Sequence, residues 1–107
     1  MSATFDKVRA LAAVRKVRVS QHGLIRLARR GIAVAEVAAG VAHGEPIEDY
    51  PSYHMGPAVL VLQANTAGLA LHVVWGIEVG TDEPAVIVTA YRPEPAEWSA
   101  DFRSRKP

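Results

Sequence analysis

The sequence predicts an α+β domain in which N-terminal helices pack on one face of a four-stranded, mainly antiparallel sheet. Hydrophobic residues recur with a helical period up to about residue 43 and with a strand-like pattern beyond it. The segments between the strand candidates are turns, too short to hold crossover helices, so neighbouring strands pair antiparallel as a meander. With 107 residues, half of them hydrophobic, the chain fills one core, and residues 1–107 are read as a single domain.

The elements follow in order. In "ATFDKVRALAAVRKV" (residues 3–17), Phe5, Val8, Leu11 and Ala12 recur at helical spacing, with Asp6 early and basic residues late, as the helix dipole favours. Val17–Val19 is either a short strand or an extended link. Ser20 is placed to cap a second helix that Gly31 ends. A third helix, over residues 34–43, puts Val34, Val37 and Val41 on one stripe and stops at Gly44 and Pro46. "PIEDY", "AVLVLQAN", "LALHVVWGIEV" and "AVIVTAYR" are then four strands rich in β-branched and aromatic residues, separated by turns at 52–57, 65–68 and 80–84.

Charge is distributed unevenly along this frame. Residues 1–30 hold eight basic residues against Asp6 alone, residues 31–101 hold Arg92 against ten acids, and the end adds Arg103, Arg105 and Lys106, for a net +1. Either the cations form one surface able to hold phosphates, or the two halves neutralise each other on folding. The absence of cysteine excludes disulfides, thiolate catalysis and cysteine metal sites, and fits a reducing compartment. No segment approaches the roughly 18 apolar residues of a membrane helix, and residues 1–20 lack the apolar core of a signal peptide. The expectation is a cytoplasmic protein without membrane association.

The segment "VRVSQHGLIRLARRGI" (residues 17–32) concentrates the candidate chemistry. On a helix, measured from His22, Arg26 lies at about 40°, Arg29 at about −20° and Arg30 at about 80°, whereas Leu24, Ile25, Leu27 and Ala28 lie between about 140° and 300°. One face is expected to seek the core and the other to carry an imidazole with three guanidiniums. Guanidinium forks bind phosphate oxygens bidentately and stay charged, and a histidine beside them serves as base or acid near neutral pH. The competing reading is that any surface helix needs a polar face, and arginine is a good helix former.

Along "LALHVVWGI", Leu69, Leu71, Val73, Trp75 and Ile77 share one face, so His72 points away from the heaviest apolar side. In the last strand Ile87, Thr89 and Tyr91 share a face opposite Val86, Val88, Ala90 and Arg92. His72 meets either Tyr91 or Arg92, because a one-residue slip inverts every side chain. Trp98 and Phe102, four residues apart, suit a short helix that packs both rings on the domain or, in the alternative, a stacking platform for bases.

"SQHGLIRLARRGI" resembles the signature of the bacterial domain-of-unknown-function family 4258, a Ser-x-His-Ala-x-x-Arg segment leading to Arg-Gly-Ile. The likeness continues through "GEPIEDYP", "VLVLQAN", "LALHVVW" and "VTAYRPEPAEW" and spans residues 17–98. Residues 1–16 then form an accessory helix, 17–98 the family core and 99–107 a basic C-terminal tail. Gly23 stands where the pattern has alanine, which weakens the helix by roughly 1 kcal/mol and keeps the His22–Arg26 spacing. The layout is similar to that of RelE, ParE and BrnT toxins, several of which cleave messenger RNA while ParE-type members act on gyrase.

That resemblance implies an RNA-binding protein able to cleave RNA without metal. Such chemistry needs a base for the ribose 2′-hydroxyl, an acid for the leaving oxygen and cations for the phosphate. His22, His72 and Tyr91 are the proton-transfer candidates; Arg26, Arg29, Arg30 and Arg92 are the phosphate-binding ones; Glu48 is a weaker base. No metal or cofactor is expected, since His22, His43, His54 and His72 lack metal-ligand spacing and "GTDEP" is a hairpin loop rather than a phosphate loop. The alternative is a non-catalytic module that binds an antitoxin-like protein, a second copy of itself or an enzyme target. RNA binding predicts that His22, Arg26 and a residue of the last strands converge; a protein module predicts that they scatter and that an apolar patch is exposed.

Overall fold

The computed structural model describes residues 2–107. Helix α1 (Ala3–Ala13) is capped by Ser2, whose Oγ accepts the Phe5 amide. It ends earlier than its apolar pattern suggests, because Arg15 takes a left-handed conformation and the Lys16 amide turns back onto the Leu11 carbonyl. Strand β1 (Val17–Val19) leads into α2 (Gln21–Arg30), where the Ser20 hydroxyl accepts the Gly23 amide and Gly31, at φ 65°, closes the helix. Helix α3 (Val34–Gly40) continues into a 3-10 turn over Val41–His43. Four strands follow: β2 (Glu45–Tyr50), β3 (Ala58–Ala64), β4 (Ala70–Gly76) and β5 (Ala85–Tyr91).

The α+β class holds, and the sheet is mixed with five strands, in the order β1-β5-β4-β3-β2. The expected four-stranded meander is therefore corrected by one strand: β1 joins β5 in parallel, with Val17 opposite Ala85 and Val19 opposite Ile87. Its ladder continues into flanking residues, the Ala85 amide donating to the Lys16 carbonyl and the Ser20 amide to that of Ile87. Three residues carry too little periodicity to announce a strand, and the partner lies more than sixty residues downstream.

The main core lies between one sheet face and the helices. Phe5 and Val8 of α1 and Val37 of α3 pack with Val59, Val61, Val73, Trp75 and Ile87, all buried. The Trp75 indole N–H donates to Gln63 Oε1 at 2.7 Å, and Gln63 Nε2 donates to the Val37 carbonyl, so the polar atoms inside this layer are paired. On the opposite face the C-terminal segment covers His72 with Trp98.

Helix α2 sits at an edge rather than over the face. Where β1 ends, α2 takes its place beside β5: the Ser20 hydroxyl donates to the Val88 carbonyl at 3.1 Å and Arg30 to the Ala90 carbonyl at 2.7 Å. Polar groups thus occupy part of a strand edge that would otherwise stay unpaired. The contact is narrow, through Gly23 and Leu27, so Leu24 and Ile25 are 52% and 47% exposed. This corrects the expected core-facing arc: Leu27 turns inward, and Leu24 and Ile25 remain on the outside.

Gly23 is what permits this approach. A methyl group at this position would stand 2.7 Å from the Val88 carbonyl oxygen and 3.0 Å from that of Ile87. Gly23→Ala is therefore expected to lower stability by about 1–2 kcal/mol despite the helix propensity gained. Urea unfolding checks this, and a midpoint equal to or above wild type would show that α2 can move outward freely.

Candidate functional site

The site is built where the last turn of α2 meets the end of β5. Arg30 extends along that edge, with one guanidinium nitrogen 2.7 Å from the Ala90 carbonyl and 3.4 Å from the Thr89 hydroxyl. Arg92 reaches back and donates to the Arg30 carbonyl at 2.6 Å and to that of Gly31 at 3.5 Å. A guanidinium at these terminal carbonyls caps the negative end of the helix dipole. Each arginine spends one side of its fork on backbone and keeps other N–H groups for a ligand. Arg30, Tyr91, Arg92 and Glu94 together line an open pocket of about 350 Å³.

Behind Tyr91 lies His72, and the register that sequence left open is settled in favour of that pair. A bulge decides it: Val74 pairs with Thr89 while the next residue, Trp75, pairs with Ile87, so Val88 is skipped. Ile87 and Ala90 consequently face the core, and Val86, Thr89 and Tyr91 face the other way, which corrects the expected grouping of Ile87 with Tyr91.

His72 is wholly buried. Its Nε2 lies 2.9 Å from the Phe102 carbonyl and its Nδ1 3.2 Å from the Tyr91 hydroxyl. A carbonyl only accepts, so Nε2 carries the hydrogen and the Tyr91 O–H donates to Nδ1. Trp98 meets the imidazole edge to face, with ring centroids 4.3 Å apart. Burial pushes the His72 pKa below the ordinary histidine value, against the upward pull of the Phe102 carbonyl and of Glu48. Burial likewise raises the Tyr91 phenol.

The C-terminal segment is a strap rather than a free tail or a helix. Trp98 and Arg105 form an isolated antiparallel bridge, the Lys106 amide donates to the Glu97 carbonyl, and Phe102 adopts φ 61°. Arg105 lies over the Trp98 ring and grips Glu48 with two bonds of 2.8 and 3.0 Å; Arg103 pairs with Glu45. Glu48, also bonded by the Tyr50 hydroxyl, is held below the usual carboxylate range by Arg105. Its chemistry is thereby committed to holding the strap. The expected short helix over Trp98 and Phe102 is corrected accordingly: local spacing suggested helix, and bridging to residues 97–99 decided otherwise.

His22, Arg26 and Arg29 project from α2 into solvent, all three exposed. His22 occupies the first turn and Arg30 the last, roughly 12 Å apart along the axis. The structure therefore brings His72, Tyr91, Arg30 and Arg92 together and leaves His22 and Arg26 outside the pocket, so the convergence of His22 and Arg26 with the last strands that RNA binding predicts does not occur, and the exposed Leu24 and Ile25 are what a protein module predicts. The uneven charge divides in the same way. Lys7, Lys16 and Arg18, three of the eight N-terminal cations, pair with Asp82, Glu83 and Glu78. Among the described residues, Arg26, Arg29, Arg30 and Arg92 form no ion pair.

Residues 19–92, over two thirds of the chain, match the family model described as domain of unknown function (DUF4258). The chain belongs to the DUF4258 family. The matched span of this DUF4258 domain runs from the end of β1 to Arg92, and so contains α2, His72 and Tyr91, whereas Glu94, Trp98 and the strap lie beyond it. No curated protein and no solved structure matches the chain. No helix among the described residues is long and apolar enough to cross a membrane.

Glu94 escaped sequence reasoning, as did the roles of Trp98 and Arg105 around His72. Nothing in "RPEPAEW" distinguishes Glu94 from Glu97, because its significance lies in sharing a pocket with Arg30 and Arg92.

Proposed function

We propose that this DUF4258 domain binds single-stranded RNA across α2 and the end of β5, in the manner of a RelE- or BrnT-like toxin. The observation that carries the reading is that Arg26, Arg29, Arg30 and Arg92 lie on one helix and its C-terminal junction while most other cations are paired to carboxylates. Unpaired guanidiniums bind phosphate oxygens and release counterions. The pocket gives the same reading a metal-independent cleavage step. The Tyr91 oxygen takes the ribose 2′-hydroxyl proton as its own proton passes to His72 Nδ1, the 2′-oxygen attacks phosphorus, and the 5′-oxygen leaves with a proton from solvent. Arg30 and Arg92 carry the phosphate charge. His72 then acts through Tyr91, and His22 contributes to binding along α2.

The test is fluorescence anisotropy with labelled single-stranded RNA at low salt, followed by gel analysis in chelator. Arg26→Ala/Arg29→Ala is expected to weaken binding roughly tenfold, at about 1 kcal/mol or less per phosphate contact. Tyr91→Phe should keep binding and abolish cleavage. Absence of binding by the wild type would refute the RNA reading, and cleavage surviving in Tyr91→Phe would remove Tyr91 from the chemistry.

A second reading, a non-catalytic module for an antitoxin-like protein, a second copy or an enzyme target, is favoured by exposed Leu24 and Ile25 beside Arg26 and Arg29. Apolar side chains flanked by cations suit an acidic amphipathic segment. Under it, Leu24→Lys/Ile25→Lys would abolish partner capture and leave RNA affinity unchanged or higher.

A further inference from the structure

Resting on the RNA reading, we propose that Glu94 is a specificity-determining residue that accepts a hydrogen bond from the 2′-hydroxyl of the ribose on the 5′-oxygen side of the phosphate, not the one whose proton Tyr91 takes, so that the Arg30–Tyr91–Arg92–Glu94 pocket selects RNA over DNA. Four side chains line the pocket, two cationic and one anionic. Opposite charges that share so small a space would ordinarily close on each other. Here Arg30 and Arg92 are held by the Ala90 and Arg30 carbonyls, and Glu94 makes no ion pair with either among the described residues.

The chain around Glu94 is fixed as well. The Glu97 and Trp98 amides both donate to the Glu94 carbonyl, and Trp98 is buried against His72. The carboxylate is thus carried on an anchored turn at the pocket wall. A pocket lined by both guanidinium donors and a carboxylate acceptor is complementary to a ligand that carries phosphate oxygens and a hydroxyl. A ribonucleotide unit has both within one residue. A deoxynucleotide offers the phosphate and lacks the donor, so its phosphate is drawn to the arginines while the carboxylate only repels it. The 2′-hydroxyl is the group by which a protein separates the two polymers.

The experiment compares oligouridylate, oligodeoxyuridylate and 2′-O-methyl oligouridylate of equal length, each bound to the full chain at low salt. Wild type should bind oligouridylate roughly tenfold tighter than the other two, the size of one hydrogen bond to a charged acceptor. Glu94→Ala should bring the three affinities within about twofold of each other, mainly by strengthening the deoxy and methylated ligands as the repelling charge goes. Glu94→Gln, which keeps an acceptor oxygen, should preserve the preference. Equal preference in wild type and Glu94→Ala overturns the inference, as does a Glu94→Ala gain that is the same for all three ligands. If wild type binds RNA and DNA equally well, RNA binding survives and the role of Glu94 falls. If it binds none of them, both fall together.

Discussion

His72→Ala is expected to destabilise the domain by about 3–5 kcal/mol, among the largest effects open to a single polar residue here. The ring is wholly buried, so its loss leaves a cavity beneath Trp98. It also leaves the Phe102 carbonyl and the Tyr91 hydroxyl without their partner. The strap should loosen with it, exposing Trp98 to solvent and shifting its fluorescence to the red. Urea unfolding followed by tryptophan emission measures both, and a midpoint within experimental error of wild type would show that His72 holds nothing in place. The same residue sets a pH dependence. Burial holds its folded pKa below the unfolded value, so the unfolded chain binds more protons in the window between them. Stability from neutral His72 is complete above about pH 6.5 and is lost as pH falls through that value toward the folded one. His72→Gln, which cannot titrate, should lack this component of the decline while retaining Glu48, whose depressed pKa acts only at lower pH.

Local chemistry was legible wherever it is local. The Ser20 cap, the Gly31 stop and the turns before β3 and β4 follow from neighbours in sequence, and the structure places them where those neighbours predict, whereas β4 stops at Gly76, short of the turn expected at 80–84. Apart from the early ends of α1 and β4, what sequence left open or missed has distant causes. Val17–Val19 becomes a strand only because β5 offers it a partner. Ile87 and Tyr91 separate onto opposite faces because the sheet skips Val88, a bulge that alternation of apolar residues does not encode. Leu24 and Ile25 stay outside because α2 docks on a strand edge, where one glycine and one leucine fill the contact, rather than on a broad sheet face that could cover the whole apolar arc. Charge behaved likewise. Neutralisation occurs where Lys7, Lys16 and Arg18 meet residues 78–83, whereas Arg26, Arg29, Arg30 and Arg92 form no ion pair among the described residues.

That division of charge carries the second large prediction, the salt dependence of RNA affinity. Phosphates neutralised on a single strand contribute a slope of about −0.7 each to log affinity against log salt. Engagement of Arg26, Arg29, Arg30 and Arg92 therefore gives a slope near −3, or roughly a 50-fold loss of affinity as salt rises from about 50 to about 200 mM. Lys7, Lys16 and Arg18 should add little to this slope, because they already face carboxylates and would have to leave them. Arg26→Ala/Arg29→Ala should reduce the loss to about sevenfold over the same range. Lys7→Ala/Lys16→Ala, which removes the same formal charge from elsewhere on the chain, should leave the slope close to that of wild type. The comparison separates a local phosphate-binding face from attraction by net charge, since both double variants lower the net charge equally and only one touches α2. Equal slopes in the two variants would mean that RNA, if bound, is held by the overall field of the protein and not by this helix.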